Sequence, residues 1–366
     1  MPITQPPLLH RYFSRHKYEP IQETHVHRSF YLSWEDALWH LLTVYRIKKG
    51  AVILVPEYYC GNVMDHMAEH GLVVRTYPVD RHLTTQTRSL ESLLRSVKPD
   101  ILIIFHPVGI PNRLMDTAGT WVPLLPPHAL LIEDCVHSVI KPSSLLFLRD
   151  RHFFMDSLRK VVPVQGSFIY AKTVLPKIGL FHAVATLPYR MGVAWHWAVM
   201  QLHLIMAYYS KHPSKRMAHN HRAELAMLTG YRLIGSKKYA SPGLPIMHWL
   251  ASHMAVEQIE RNKSEQFVRY QTLVRPLLRS TSFWLPQIEN KDHAKLRGFP
   301  LVIAMDQAAV FLRHMRASGI FLRFELDDSP WSTRQKIVYL PMGIHVRNRD
   351  IAFIGTVLMQ FATNYI

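Results

Sequence analysis

Two short polar runs carry the side chains best suited to chemistry. Glu133-Asp134-Cys135-Val136-His137 follows the apolar stretch ALLI, Asp156-Ser157-Leu158-Arg159-Lys160 follows HFFM, and a third apolar stretch, SFIYA, comes soon after. Apolar runs this short and this abruptly ended read as buried strands. In open α/β sheets, ligands sit beyond the carboxyl ends of strands. A carboxylate, an imidazole, a hydroxyl and an amine are therefore brought to one edge. Pyridoxal phosphate asks for such a set: a lysine amine to hold its aldehyde, and an acid that keeps its ring nitrogen protonated so that the ring can draw electrons. Lys160 is the candidate for the first and Asp134 for the second. Taken singly, each residue has a plainer explanation, since an Asp after a strand caps a helix, a Lys beside an Arg is a solvated charge, and His137 suits a turn. Their joint spacing is what points to a cofactor.

Asp134-x-x-His137, followed by Ser157-Leu158-Arg159-Lys160-x-x-Pro163-Val164, resembles the DegT-type nucleotide-sugar aminotransferases, and more closely their branch with a Ser-Leu-Arg-Lys lysine motif. The resemblance runs from about Tyr31 to the C-terminus and is specific over residues 129–163. It implies an aspartate aminotransferase-like α/β fold, the fold type I of pyridoxal-phosphate enzymes, with a mostly parallel sheet in a large domain and a smaller C-terminal α+β domain. By the same resemblance Lys160 carries the cofactor, Asp134 meets its ring nitrogen, His137 contacts the ring or its phenolic oxygen, and Ser157 binds its phosphate. The family also covers the cofactor with an aromatic ring; Tyr59 is the nearest candidate and Tyr58 the next, although packed tyrosines with wet hydroxyls would look the same. The implied reaction, part of sugar biosynthesis, moves an amino group from an amino-acid donor to a nucleotide-linked keto sugar in a homodimer.

The chain also departs from that pattern. Ser33-Trp34-Glu35-Asp36 precedes Ala37, Leu38, Leu41, Leu42 and Tyr45, an apolar face at helical spacing, with Ser33 as N-cap and Asp36 as the acid of a capping box. The family seats the cofactor phosphate on the backbone N–H groups that open this helix, which makes Ser33 and Trp34 candidate cofactor contacts. Trp34 and Glu35 nevertheless replace small residues there, a carboxylate repels a phosphate, and capping alone explains Ser33 equally well. The family's Asn and Arg motif, which reaches the partner subunit's phosphate, has no equivalent, and Val164-Gln165-Gly166-Ser167 stands where paired glycines are usual. A second reading follows: a catalytically divergent aminotransferase-fold protein that acts as a binding or regulatory partner. Cysteine desulfuration on the same cofactor is a third, and neither Cys60 nor Cys135 sits in an evident mobile acceptor loop to support it.

The elements that must position these groups alternate. Strands are expected at 51–55, 72–77 and 100–105, with a helical Leu90, Leu93, Leu94 pattern before the last, a β-α-β rhythm that argues for a parallel sheet. His106 falls at a strand end, as a turn residue or near the ring. Residues 191–210 hold no Asp, Glu, Lys or Arg but are interrupted by Gly192, His196, Gln201 and His203; they read as a buried or subunit-interface helix, or as a helix on a membrane surface. The basic stretch 211–245 reads as a linker closing a first domain, 1–245, whose N-terminal arm lies across the surface or a partner subunit. The second domain, 246–366, should hold a long helix at 246–278, strands at 299–304, 320–326 and 337–340, and helices at 306–318 and 350–361.

Composition bounds the rest. With 366 residues, 48% hydrophobic and 19% charged, the chain can bury a large core beside a smaller one. Two cysteines cannot build a disulfide framework and lack metal spacing, which suits a reducing cytoplasm. Prolines and charges interrupt the N-terminus where a signal peptide needs an apolar run, so no targeting segment is expected. The 43 Lys and Arg against 26 Asp and Glu give +17, compatible with an anionic substrate such as a nucleotide sugar or with an anionic membrane surface. Nucleic acid is not expected, for lack of a recognition motif.

Overall fold

The computed structural model describes residues 6–14, 26–235 and 239–365. Seven strands form the main sheet: β1 (His27–Tyr31), β2 (Val52–Pro56), β3 (Val73–Tyr77), β4 (Ile101–Phe105), β5 (Leu130–Asp134), β6 (His152–Met155) and β7 (Ser167–Ala171). Their order is β1-β7-β6-β5-β4-β2-β3. β2 to β6 pair in parallel, while β7 runs antiparallel to both β6 and β1. Central strands such as ILIIF and LLIED are buried along their whole length, as expected for a sheet covered on both faces. Between the strands lie α1 (Trp34–Val44), α2 (Gly61–Glu69), α3 (Thr87–Val97) and the single-turn α4 (Ala118–Trp121). The mostly parallel sheet is thus as expected.

β1 is fastened by one ring. A Cβ at Gly166 or at Gly243 would come within 2.2 Å of the Phe30 ring, and Gly166 also has a φ of +148°. Only glycine lets the lysine-bearing loop and the segment after residue 239 close on Phe30 together.

The basic stretch expected as a linker is mostly helix. After α5 (Leu180–Ala185), α6 (Leu187–Tyr209) and α7 (Pro213–Gly235) pack as a hairpin around Met200, Leu204, Ala223, Ala226 and Met227. Pro213 suits a first helical position, and Gly230, whose Cβ would lie 3.4 Å from that of His196, lets the helices approach. Gly230 looks like punctuation in the sequence and serves close packing in the fold. The helix expected at 191–210 lies within α6, but it is buried on one face, not all round: Met191, Trp195, Leu202, Met206 and Tyr209 are exposed. Among the described residues, no helix is long and apolar enough to cross a membrane.

α8 (Pro245–Ser252) and α9 (Val256–Val274) replace the single long helix expected there. They lead to β8 (Phe283–Trp284), β9 (Phe299–Ala304), α10 (Met305–Ala317), β10 (Gln335–Leu340) and α11 (Asn348–Tyr365), with β10-β9-β8 as an antiparallel sheet. Residues 320–326, expected as a strand, contribute one bridge, Phe324 to Val338. One continuous apolar core joins the two sheets. Of the N-terminal arm, Leu9 and Tyr12 are buried with Met247, Ala251, Ile259 and Ile344 of the same chain, and the Tyr12 hydroxyl lies 2.6 Å from His345 Nδ1; residues 15–25 of that arm lie outside the described residues.

Candidate active site

Because successive strand residues face opposite sides, Glu133 and Asp134 serve different neighbourhoods. Glu133 is buried between two imidazoles, with His106 Nε2 2.8 Å from Oε2 and His152 Nε2 2.9 Å from Oε1, the latter contact bent out of hydrogen-bond alignment. Backbone N–H groups of Asn112 and Leu148 donate to the Nδ1 atoms of His106 and His152. Each ring therefore presents Nε2–H to the carboxylate. Burial alone would raise the Glu133 pKa, but the two imidazoles overcome it and hold the group down at about 2. His106 is thus a buried structural partner of Glu133, the turn residue of the two readings.

Asp134 faces the other way, into a small pocket lined by Trp34, Glu35, Tyr59, Cys60, Phe105, Asp134, Ser157, Arg159 and Lys160, among others. It accepts from the Tyr59 hydroxyl at 2.6 Å and from the Val136 N–H at 3.1 Å. Burial raises its pKa to about 6 against those bonds and the nearby Lys160 ammonium. Lys160 ends a 3-10 turn, Leu158–Lys160, directly after Ser157. Burial, with the Arg297 and Arg159 guanidiniums adding to it, lowers the Lys160 amine to about 8. An amine so placed is partly unprotonated at neutral pH and can act as a nucleophile. Asp156, from the same polar run, is structural: it accepts from the Phe168 N–H at 2.7 Å and packs beneath β7.

Ser33 does not line the pocket. Its hydroxyl accepts from the Asp36 N–H at 3.1 Å, the N-cap half of the expected capping box, and donates to Asp36 Oδ2 at 2.7 Å, so that the two side chains meet each other in place of the acid reaching the Ser33 backbone N–H. Asp36 in turn accepts from the Ser241 N–H at 2.9 Å, tying α1 to the segment that follows the hairpin. Beyond the cap, Trp34 and Glu35 do reach the pocket. Trp34 Nε1, Glu35 Oε2, and Arg159 Nε and Nη1 are buried there without a hydrogen-bond partner. The Arg159 guanidinium rests on the Tyr231 ring of α7, 4.0 Å from its centre.

His137 is fully buried beside the pocket rather than in its lining. Its Nδ1 accepts from the Val108 N–H at 3.0 Å, and its Nε2 lies 3.3 Å from Arg297 Nη1. Burial, reinforced by Lys160 and Arg297, keeps the imidazole neutral, its pKa well below the usual value. The proton then sits on Nε2 and faces another donor, so the pair offers two N–H groups to an oxygen acceptor. Val108 holds this arrangement at the cost of a φ of +61°, unusual for a β-branched residue; its carbonyl also accepts from the Arg297 N–H at 2.7 Å. Arg297 is paired with Glu325 at 2.9 Å.

The arrangement can be compared with known proteins. No family model matches the sequence, and no curated protein matches it. Solved structures do match its shape along almost its whole length. A Streptococcus pneumoniae protein described as a sugar aminotransferase, Spr1654 in its PLP form, aligns with a TM-score of 0.59 at 9% identity over 93% of this chain and 88% of that one. A DegT DnrJ EryC1 StrS aminotransferase from Brucella abortus gives 0.57 at 12% identity over 92% and 86%. Cystathionine gamma synthase from Xanthomonas oryzae pv. oryzae, in complex with cystathionine, gives 0.53 at 12% over 93% and 82%. The fold is that of the type I pyridoxal-phosphate enzymes.

Within that fold, the donor set suits the cofactor. A partly neutral, half-buried lysine stands in one pocket with a buried carboxylate, and Ser157, Trp34 and Arg159 add hydroxyl and N–H groups, the last two unpaired, of the kind a phosphate binds. Glu35 is the discordant member. It lines the pocket, and its Oε2 is buried without a hydrogen-bond partner. The pocket opens into a larger cleft of about 490 Å³ whose walls include Arg297, Arg323 and Glu325 from the C-terminal half and Leu228, Tyr231 and Arg232 from α7. Sequence reasoning missed Arg297, Glu325 and the α7 wall. All three come from segments without a local motif, and only the neighbouring Arg159 carried a signal, as part of the lysine block.

Proposed function

We propose that the chain is a pyridoxal-phosphate-dependent aminotransferase of the DegT type, acting in the cytoplasm on a nucleotide-linked keto sugar with an amino acid as donor. The observation that carries this is the Lys160 amine, held at about 8 and sharing one buried pocket with Asp134. When bound, pyridoxal phosphate supplies a ring that takes up negative charge from the substrate carbon. Lys160 would hold the cofactor and, with its amine free, would serve as general acid–base for the proton at the substrate carbon. Asp134 would keep a proton on the ring nitrogen, Ser157 and Arg159 would take the phosphate, and Tyr59 would pack its ring against the cofactor. The resemblance would put His137 against the ring or its phenolic oxygen, and here it stands beside the pocket, fully buried, with Nε2 3.3 Å from Arg297 Nη1. Arg232 and Arg323, on the walls of the cleft, suit an anionic sugar nucleotide. A homodimer and a division into residues 1–245 and 246–366 complete this reading.

One observation favours the divergent reading, in which the fold serves as a binding or regulatory partner: the Glu35 carboxylate, buried and with Oε2 unpaired, stands where a phosphate would be seated. Borohydride reduction after incubation with pyridoxal phosphate, followed by peptide mass spectrometry, separates the two. The proposal expects the pyridoxyl mass on Lys160 and its loss in Lys160→Ala. Labelling of Lys172 or Lys141 instead, or none, would refute it.

A further inference from the structure

The helical hairpin presents an apolar stripe to solvent. On α6, Tyr189, Val193, Met200, Leu204 and Ala207 face the protein, whereas Leu187, Met191, Trp195, Leu202, Met206 and Tyr209 are 43–67% exposed. The exposed set recurs at intervals of three, four or seven residues, so it forms one line about 33 Å long at 1.5 Å per residue. α5 extends it with Leu180 and Phe181, 80% and 81% exposed. A helix packed on one face of a protein should carry polar side chains on the other; α6 does not, and stripes of this size mark an interaction surface.

Charge selects the partner. Residues 180–235 hold Arg190, Lys211, Lys215, Arg216, Arg222 and Arg232 against the single acid Glu224, with six histidines besides. Lys211 and Lys215 are exposed where α6 turns into α7, directly after Tyr209, and Arg222 is exposed on α7. A two-fold contact with a second copy would set this patch against itself, and like charges brought face to face disfavour association. An anionic surface is attracted instead. Trp195 and Tyr209 are the side chains that settle at the boundary between lipid headgroups and hydrocarbon, and no described helix is able to span.

We propose that the α5–α6–α7 hairpin docks the protein peripherally on an anionic lipid bilayer, with α6 lying in the plane of the interface. The docking surface is independent of the cofactor chemistry and should work in apo-protein. The test is co-sedimentation of the full-length protein with vesicles of phosphatidylcholine alone or mixed with phosphatidylglycerol. Binding to the mixed vesicles alone, weakening as salt rises, is expected. Lys211→Glu with Lys215→Glu should lower the partition coefficient by roughly fivefold for each positive charge removed. Trp195→Ser with Met206→Ser should lower it further while the circular dichroism melt stays unchanged, since both positions are exposed. Arg88→Glu with Arg95→Glu on α3 removes equal charge elsewhere and should leave binding nearly intact. Equal loss from the α3 pair would overturn the proposal, because net charge would then explain the attraction. So would failure to bind mixed vesicles, and a dimer in light scattering that Trp195→Ser with Met206→Ser disperses would assign the stripe to a second copy.

Discussion

Replacing Glu133 by Gln tests the geometry behind Asp134 without touching the pocket. In the native protein both carboxylate oxygens face imidazole N–H groups, and backbone donors at Nδ1 fix both tautomers. A glutamine has one acceptor oxygen and one NH₂, so one imidazole must meet a donor. The loss is then one charge-assisted contact weakened and one buried donor left unpaired, about 2–4 kcal/mol together. Proton linkage gives an independent figure. The folded-state pKa of about 2 lies below the ordinary 4.5, so ionised Glu133 stabilises the fold fully above pH 4.5 and loses that contribution as pH falls toward 2. A depression of this size corresponds to about 3 kcal/mol at neutral pH. Urea denaturation at 25 °C should therefore show the variant less stable by this amount at pH 7, and the gap should narrow steadily between pH 4.5 and pH 2. A variant as stable as the parent at pH 7, or a gap that does not change in acid, would refute the reasoning.

Three further outcomes follow from the pocket. The rate at which apo-protein captures pyridoxal should rise through about pH 8 and level off above it, because the Lys160 amine reacts when neutral and its pKa is lowered to about 8; a rise centred near 10.5 would mean a solvated lysine. Arg159→Met should weaken pyridoxal phosphate binding by ~1.5–3 kcal/mol, the worth of a hydrogen bond to a charged group, while leaving phosphate-free pyridoxal unaffected in the same titration. Glu35→Gln should tighten pyridoxal phosphate binding by up to ~1 kcal/mol if phosphate sits near the start of α1; unchanged affinity with a lower melting temperature would favour the non-catalytic reading.

What the sequence made legible is what short-range pattern encodes. The strands ALLI, HFFM and SFIYA appear within β5, β6 and β7 because continuous apolar runs leave few alternatives, although β5 runs on through Glu133 and Asp134, and the Ser33 cap joins residues only three positions apart. Trp34, Tyr59, Asp134, Ser157 and Lys160 share a pocket because each stands at or soon after a strand's carboxyl end or at a helix start. Arg297 and Glu325 were not legible, since their relation to His137 exists only after the C-terminal half has packed. The direction of His137 depends on the unusual backbone of Val108, which no residue type announces. In sequence α7 reads as a linker because Pro213, Gly230 and its charges resemble loop composition, while the small residues that pack it on α6 form too weak a stripe to outweigh them.

The position of β1 bears on the order in which the chain matures on the ribosome. His27–Tyr31 is made early, yet its partner in the sheet is Ser167–Ala171, and the Phe30 ring needs Gly166 and Gly243 around it. Until residue 171 has been made this strand has unpaired backbone groups, and until residue 243 has been made the Phe30 ring lacks part of its native surroundings. Contacts this distant in sequence form slowly, and an exposed strand edge invites pairing with other chains. A nascent chain stalled before residue 167 should therefore depend on chaperones for its N-terminal strand, whereas one whose residue 243 has left the ribosome should already protect it.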